Sequence, residues 1–430
     1  MTEPETRSPY WKWWVCGLLL CATMINYMDR MILANLSVRV TRALSMTNEQ
    51  YGTVESSFSL GFAAGSLIFG FLADRFNVRF LYPAVLVCWS GVGILTGFAQ
   101  NYDHLHFCRT LLGLFEAGHW PCALVTTQRL LSQKDRAMGN SVLQSGAAMG
   151  AIITPPIVLG ILHWFDPGEA IRSAHLALGG GLAFAAAGPE PDVWQIPFVV
   201  VGIIGLFWVL AWFLLVPRGS LDAVPNTETE NRSTLLSAIL DRRFFVLFIM
   251  VTCINSTWQL VRAWLPKFLM EGRGYTEADA LWFNSAYFIA ADAGCILAGA
   301  GTLWFARHGL EIHKARIRVY FLCACATALT VVAAGMPAGW PLLAVLLVVA
   351  AGSLGLFPCY YSFTQEITRT HMGRISGILG ASAWVVTAPL HIWFGAEVDR
   401  TKSFDLGIML AGLPPLAALV VLLLLWRGKK

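Results

Sequence analysis

The chain has 430 residues, of which 56% are hydrophobic and only 13% are charged. Soluble domains carry roughly 25% charged residues, so this composition excludes an ordinary soluble protein. The net charge of +4 does not imply a nucleic-acid partner, and none is expected. The ten cysteines lack metal-ligand spacings such as Cys-x2-Cys and are interpreted as small buried hydrophobic residues. We therefore expect neither a metal site nor another cofactor.

Twelve apolar runs are long enough to cross a membrane, whose ~30 Å hydrocarbon core requires about 20 residues of helix. Backbone groups in lipid must be hydrogen-bonded within the segment, so each run is predicted to be a helix. The alternating strands of an outer-membrane barrel are absent from the sequence. We predict an all-α integral membrane protein with twelve transmembrane helices. The predicted spans are 12–37, 52–73, 80–99, 105–130, 138–163, 194–216, 244–270, 279–304, 317–336, 341–365, 375–398 and 404–426.

The basic residues predict how the chain is oriented. When both termini and the loops after even-numbered spans lie on one side, that side holds 20 of the 30 Lys and Arg, and the other side holds 7. The positive-inside rule places the richer side in the cytoplasm. We predict a multi-pass protein of the inner (cytoplasmic) cell membrane that is surrounded by lipid, monomeric, and cytoplasmic at both termini.

The spans divide six and six. A polar stretch, 217–243, is the predicted cytoplasmic linker between an N-terminal bundle, 1–216, and a C-terminal bundle, 244–430. The halves resemble each other, since TNEQYGTVESSFSLGFAAGSLIFG and TEADALWFNSAYFIAADAGCILAG align without gaps. Parallel six-helix repeats bind substrate near the membrane midplane at the repeat interface. The Ala/Gly core of the connection 166–195 is too short to span, and the connection is predicted to be a partly ordered outer loop rather than a re-entrant gate.

The first span contains two adjacent charges within INYMDRMILANL, residues 25–36. A charge inside a membrane costs roughly 2.5–3.5 kcal/mol on insertion scales, so such residues are expected to be functional. Tyr27 and Arg30 are three residues apart and share a helix face, which we predict lines a central cavity and binds substrate. Asp29 points about 100° away and is predicted to face the fourth span. Arg30 stays charged and offers a planar fork that suits a carboxylate.

The second span ends in GFLADRFNVR, from Gly70 to Arg79. Gly70 permits close helix contact, and Asp74 is placed to cap a helix or to pair across the halves. Gly70, Asp74, Arg75 and Arg79 are therefore predicted to form a conformational latch. The alternative is an ordinary charged loop. The sequence GAEVDR at 395–400 has the same Gly-x3-Asp-Arg start. It falls on the predicted outer side and is assigned no such role.

The fourth span carries a polar stripe in which Arg109, Gly113 and Glu116 follow one another at helical spacing, with His119 a turn further on. Asp29 and Glu116 can each bind a proton where burial disfavours the charged form, and Arg109 favours the charged form of whichever carboxylate it approaches. Proton uptake in one access state and release in the other would give proton symport. The alternative is a static ion-pair cluster. His119 is either a packing residue or a member of a proton relay.

In the second half, Trp258, Gln259 and Arg262 lie at helical spacing on the seventh span. A second cationic group in the cavity would favour a dianion or a larger acid gripped at both ends. Alternatively, Arg262 extends to the outer interface. Gln144 on the fifth span provides a midplane amide, and Trp258 and Trp384 either stack on an apolar sugar face or simply pack. All these residues are predicted substrate-binding candidates.

Glu55 and Asp292 are two further carboxylates in predicted spans. Glu55 is expected near the outer end of the second span, where it would be solvated. Asp292 on the eighth span is a candidate for proton coupling, either by titrating or by pairing with Arg262, and the alternative is a structural role.

Several motifs carry a family resemblance. They are GFLADRFNVR after the second span, NYMDR in the first, RTLLGLFEAGHWP in the fourth, SGAAMGAIITPP in the fifth, ADAGCILAG in the eighth and GASAW in the eleventh. The first resembles the cytoplasmic loop signature of the major facilitator superfamily, which implies two pseudo-symmetric six-helix bundles. Together they resemble the anion:cation symporter family, which includes carriers of hexuronate, galactonate, glucarate, vesicular glutamate and sialic acid. The resemblance covers nearly all of the chain except 166–193 and implies proton coupling through Asp29 and Glu116.

Two positions depart from the family pattern. Phe62 and Ser66 stand where the sugar-acid carriers generally have tyrosine and glutamine. Their replacement removes candidate partners for substrate hydroxyl groups.

We predict a secondary active transporter that takes up a small organic anion, such as a hexuronate or aldonate, together with protons by alternating access. The first alternative is an organophosphate/phosphate or dicarboxylate antiporter, although phosphate exchange needs no proton-carrying carboxylates. A non-transporting membrane sensor is the second. A membrane enzyme is disfavoured, because the sequence offers no nucleophile–base pair or metal cluster.

Overall fold

The computed structural model describes residues 10–132, 135–165, 193–221, 240–367 and 372–426. Within these ranges the chain is helical and contains no strand, which confirms the all-α prediction. Numbered in chain order, the helices are α1 Trp11–Asn35, α2 Ser37–Ala43, α3 Asn48–Arg75, α4 Val78–Thr96, α5 Tyr102–Glu116, α6 His119–Leu130, α7 Arg136–Phe165, α8 Gln195–Leu215, α9 Arg242–Lys267, α10 Glu277–Arg307, α11 Ile312–Ala328, α12 Thr330–Gly335, α13 Trp340–Ile367, α14 Met372–Thr401, α15 Asp405–Ala411 and α16 Pro414–Leu425. A π-helical turn, Phe268–Gly272, continues α9.

In the described ranges, eleven helical stretches are long and apolar enough to cross a membrane. The fourth predicted span, 105–130, is divided into α5 and α6 by a turn at Ala117 and Gly118. Pro121 explains the break, since it has no N–H to donate to the carbonyl of Ala117 and its ring clashes with that carbonyl. The prediction of one continuous helix there was wrong, although the two pieces together occupy the place of one span.

The helices form two bundles. In the first bundle α1 packs on α7, α3 on α5 and α4 on α8, and in the second α10 packs on α13, α11 on α13 and α9 on α16. The bundles meet where α3 packs on α14, α7 on α10 and α1 on α9. The two-bundle architecture is confirmed. The predicted linker bounds, 217–243, and the predicted outer loop, 166–195, stay predictions because 222–239 and 166–192 lie outside the described residues.

The backbones of α3 and α14 approach closely at two glycines. A Cβ on Gly52 would overlap the carbonyl oxygen of His391, and a Cβ on Gly395 would overlap that of Asn48. Association of helices in lipid depends on van der Waals packing, which small residues improve by letting backbones approach. These two positions therefore fix how closely the bundles can meet along α3 and α14.

Gly113→Val is expected to destabilise the first bundle. A Cβ on Gly113 of α5 would overlap the carbonyl oxygen of Phe58 in α3, and overpacking of this kind costs about 1–3 kcal/mol. Thermal unfolding of the purified protein in detergent should show a midpoint several degrees lower. Gly91→Val on α4 is the matched control, because a Cβ at Gly91 meets nothing within 4 Å. Equal losses in the two variants would contradict the close α3–α5 contact.

Candidate functional site

The first buried ion pair joins α1 to α5. The Nε of Arg30 donates to the Oε2 of Glu116 over 2.6 Å, and the exposed fractions of the side chains are only 4% and 0%. Asn26, one turn before Arg30, accepts from the Nη2 of Arg30 over 2.8 Å and donates to the backbone carbonyl of Glu116 over 3.4 Å. Asn26 thus fixes the orientation of both partners. The predicted substrate-binding arginine is held by the predicted proton-coupling glutamate.

Aromatic rings enclose the Arg30 guanidinium. Its Cζ lies 5.2 Å from the ring centroid of Tyr27, 5.4 Å from that of Phe58, 4.6 Å from that of Phe62 and 5.9 Å from that of Trp384. Aromatic faces at such distances attract a cation. Tyr27 is half-buried, and Trp384 lies on α14 of the second bundle. The guanidinium therefore lies at the interface of the two bundles.

Asp29 is buried without a direct partner. Its side chain is 1% exposed, and neither carboxylate oxygen has a hydrogen bond within the described part of the chain. The Oδ1 lies beside Gly93 of α4, where an added Cβ would be 3.5 Å away. Asp29 was predicted to face the fourth span, which comprises α5 and α6. It has no direct hydrogen bond to Arg109 of α5. All three guanidinium nitrogens of Arg109 also lack a hydrogen bond among the described residues.

A second buried ion pair connects the bundles. The Nη2 of Arg262 on α9 donates to the Oε2 of Glu55 on α3 over 2.7 Å, with exposed fractions of 3% and 0%. The Nε of Arg262 donates to Gln259 over 2.8 Å, and its Nη1 donates to the backbone carbonyl of Arg30 over 3.4 Å. The Nη2 of Arg109 lies 3.5 Å from the other oxygen of Glu55. Glu55 therefore lies between two guanidinium groups.

Two expectations about these residues were wrong. Glu55 was expected to be solvated, but it is fully buried because the second bundle covers it and supplies Arg262 as its partner. Asp292 was considered as a partner of Arg262, but it is half-buried on α10 while Arg262 is bound to Glu55 and Gln259. Arg262 does not extend to the outer interface either, since its guanidinium points into the protein. Glu55 could have been recognised from its sequence as a carboxylate inside an apolar helix.

Six ionisable groups meet in this part of the described chain, three carboxylates and three guanidiniums. They are Asp29, Arg30, Glu55, Arg109, Glu116 and Arg262. Fully ionised, they carry no net charge. Several of their polar atoms have no hydrogen bond within the described residues, including both oxygens of Asp29 and one oxygen each of Glu55 and Glu116. Because an isolated buried charge is strongly disfavoured, this cluster is suited to binding protons and a charged ligand.

The other predicted substrate-binding residues surround this cluster unevenly. Trp384 packs on Phe62, with ring centroids 4.7 Å apart. Trp258 is nearly buried and lies edge-on to Phe288 at 5.7 Å, whereas Gln144 on α7 is exposed. The structure thus brings Trp384 into contact with the Arg30 site and gives Gln144 no contact with it.

His119 is a satisfied buried residue. Its Nε2 donates to the hydroxyl of Thr23 over 3.0 Å, because that hydroxyl itself donates to the carbonyl of Leu19. The hydroxyl of Tyr82 then donates to Nδ1 over 2.7 Å. Both ring nitrogens are therefore occupied, and the geometry supports a packing residue that fastens α1 and α4 to α6.

Asp399 of α14 caps helix α3 of the opposite bundle. Its carboxylate accepts hydrogen bonds from the backbone N–H groups of Asn48 (3.2 Å) and Glu49 (2.8 Å) and from the side-chain amide of Asn48 (2.9 Å). The first N–H groups of a helix lack partners, and the helix dipole favours a negative charge there. Asp399 belongs to GAEVDR, and its contact between the bundles was not predicted from the sequence.

A second charged contact between the bundles lies at the same end. Arg39 on α2 binds Glu277 at the start of α10 with two hydrogen bonds, from Nε over 2.8 Å and from Nη2 over 2.7 Å. We call this end of the molecule, defined by Arg39, Asn48, Glu277 and Asp399, the closed end. These contacts hold α2 and α3 of the first bundle against α10 and α14 of the second.

Of the predicted latch residues on α3 and α4, Gly70, Arg75 and Arg79 make no hydrogen bond or ion pair with the second bundle among the described residues. A Cβ on Gly70 would meet nothing within 4 Å, so the close contact expected there is not present. The guanidinium of Arg75 lies 3.9 Å from the ring centroid of Phe71 in its own helix, and the Nε of Arg79 donates to the carbonyl of Val216 over 2.9 Å. The side chain of Asp74 lies outside the described part of the structure.

Known proteins are similar to this chain in sequence and in fold. A probable sulfoacetate transporter of Cupriavidus necator is 24% identical over 414 residues, covering 93% of this chain and 90% of that protein. A hexuronate transporter of Escherichia coli strain K12 is 21% identical over 432 residues, covering 95% and 93%. A bacterial homologue of the human lysosomal transporter Spinster, crystallised in an inward-facing and unoccupied conformation, has a TM-score of 0.74 at 17% identity and covers 97% of this chain and 96% of that one.

Relatives of this kind confirm the resemblance to anion:cation symporters and exclude an enzyme. The sequence also matches the family described as Major Facilitator Superfamily over residues 19–390. The chain therefore belongs to the major facilitator superfamily of multi-pass membrane transporters.

Proposed function

We propose that this chain is a proton-coupled symporter that carries a small organic anion, such as a hexuronate or aldonate, into the cell. The observation that carries the proposal is the buried pair of Arg30 and Glu116 beside the unpartnered carboxylate of Asp29. Relatives named as transporters of hexuronate and of sulfoacetate support an acidic substrate. The proposed place is the inner cell membrane, with both termini in the cytoplasm and the monomer as the transporting unit.

Proton binding and substrate binding are coupled through Arg30. Glu116 occupies the Nε of Arg30, so an ionised Glu116 competes with a substrate carboxylate for the same guanidinium. A proton on Glu116 removes its charge and lets the substrate carboxylate form the charge-assisted bond instead. The rings of Tyr27, Phe62 and Trp384 then offer apolar walls for the carbon skeleton. Asp29 supplies a second proton-binding carboxylate within the same cluster.

Alternating access requires the closed end to open. Asp399 and Glu277 lie on the second bundle and bind the first bundle, so both contacts must break when the bundles separate there. Phosphate exchange, the main alternative, is not favoured because the cluster contains as many carboxylates as guanidinium groups.

Glu116→Gln is expected to spare exchange and to abolish accumulation. The amide keeps the shape of the side chain but neither binds nor releases a proton, so the substrate crosses only down its own gradient. With the same pH on both sides of the membrane, reconstituted vesicles should exchange radiolabelled glucuronate. With a pH gradient, they should show no pH-driven uptake. The control is Glu311→Gln, which changes an exposed carboxylate directly before α11. This variant should accumulate glucuronate like wild type. Full accumulation by Glu116→Gln would overturn the coupling assignment.

Arg30→Ala is expected to weaken glucuronate binding at least about 30-fold, because loss of one partner of a buried charge pair costs about 2–5 kcal/mol. Isothermal titration calorimetry of the detergent-solubilised protein measures the dissociation constant for glucuronate. Since the variant leaves Glu116 unpaired, the double variant Arg30→Ala/Glu116→Gln checks that the loss is not misfolding, and it should be stable yet fail to bind. Arg307→Ala, an exposed arginine at the end of α10, should bind normally. Tight binding by the stable double variant would remove Arg30 from the site.

Asp399→Ala is expected to loosen the closed end. The amides of Asn48 and Glu49 lose their carboxylate acceptor, so hydrogen–deuterium exchange of peptides covering 48–52 should be at least about tenfold faster. Asp405→Ala is the matched control, because Asp405 pairs with Arg273 inside the second bundle at the same end. Unchanged exchange in Asp399→Ala, or an equal change in Asp405→Ala, would exclude Asp399 as an inter-bundle latch.

A further inference from the structure

We propose that Arg262 is a second anion-binding residue that selects substrates with two acid groups, and that Glu55 is its counter-ion when the carrier is empty. This inference rests on the proposed function, since it concerns the substrate class of the same site. It follows from the buried pair of Arg262 and Glu55, whose members belong to opposite bundles.

Groups on three other helices lie around the carboxylate of Glu55. Arg262 of α9 donates to its Oε2 over 2.7 Å, and Arg109 of α5 lies 3.5 Å from its Oε1. His391 of α14 faces the same cluster, with its Nδ1 accepting from Trp264 over 3.3 Å and its Nε2 without a partner in the described part of the structure. His391 is therefore a further polar neighbour of this cluster on the second bundle.

Separation of the bundles affects the partners of Glu55 differently. Arg109 and Glu55 both belong to the first bundle, so their contact is kept. Arg262 belongs to the second bundle and is parted from Glu55 when α3 and α9 move apart. A buried guanidinium left without a counter-ion is strongly disfavoured. Once these contacts are broken, Arg262 has lost its carboxylate partner and is available to bind another anion.

A substrate acid group can supply that anion. The Nη1 of Arg262 reaches the backbone carbonyl of Arg30 over 3.4 Å, so the two arginines are neighbours across the bundle interface. A small dianion with an acid group at each end can bind Arg30 at one end and Arg262 at the other. When it leaves, Glu55 returns to Arg262, which allows the empty carrier to change state. A monoanion satisfies Arg30 alone.

The first test compares two acids with the same six-carbon skeleton, the monoanion D-glucuronate and the dianion D-glucarate. Uptake into vesicles containing the full-length protein gives KM for each. Wild type should have the lower KM for glucarate, and Arg262→Gln should raise KM for glucarate at least about tenfold more than KM for glucuronate. Arg273→Gln, which removes an arginine paired within the second bundle, should leave the ratio of the two KM values unchanged. Equal shifts for both acids in Arg262→Gln, or a wild-type preference for glucuronate, would overturn the inference.

The second test concerns the counter-ion. Glu55→Gln leaves Arg262 without a carboxylate in the empty carrier, so net glucuronate uptake should slow at least about tenfold while exchange is kept. The double variant Glu55→Gln/Arg262→Gln should restore net glucuronate uptake, because Arg262 no longer leaves an unpaired charge and Arg109 loses its carboxylate neighbour in both variants alike. A double variant as slow as Glu55→Gln would overturn the counter-ion role. If wild type moves neither acid, the proposed function itself fails, whereas transport of both acids with an unchanged KM ratio in Arg262→Gln defeats only this inference.

Discussion

A charge buried in a membrane protein must meet an opposite charge or bind a proton, and the centre of this transporter is organised around that constraint. Three carboxylates and three guanidiniums of the described chain balance one another there. The guanidiniums cannot release their protons, so any change in net charge must come from a carboxylate or from a ligand. Asp29, which has no direct partner, is the member that the others compensate least. In the proposed mechanism, charge balance in this cluster links the binding of an anion to the binding of a proton.

The two ion pairs respond differently to movement of the bundles. Arg30 and Glu116 belong to the same bundle and stay together in any rigid-body motion, so only a proton or a substrate can separate them. Arg262 and Glu55 belong to different bundles and are separated by the motion itself. Glu55 also lies near Arg109 of its own bundle. In the proposed mechanism, protonation or substrate binding therefore separates the first pair, and movement of the bundles separates the second.

The sequence predicted those features that depend on local pattern. Apolar runs predicted where the spans lie, although 105–130, 317–336 and 404–426 are each divided into two helices, and isolated charges pointed to Arg30, Arg109 and Glu116 as members of a buried cluster. What it missed depends on contacts between distant residues. Glu55 looked solvated because its covering partner, Arg262, is some two hundred residues away in sequence. GAEVDR was placed on the outer side, and nothing in one sequence shows that Asp399 would cap the start of α3 there. The break after α5 depends on the single ring of Pro121.

The family departures at Phe62 and Ser66 acquire a physical meaning in this setting. The Phe62 ring lies 4.6 Å from the Arg30 guanidinium and 4.7 Å from Trp384, so an apolar wall stands where relatives generally offer a hydroxyl. Ser66 donates to the carbonyl of Phe62 in its own helix over 2.8 Å, which engages its only proton. With fewer partners for substrate hydroxyl groups, binding energy must come from charge. Under the proposal that Arg262 binds a second acid group, an apolar wall at Phe62 and two buried arginines favour a doubly charged acid over a singly charged one.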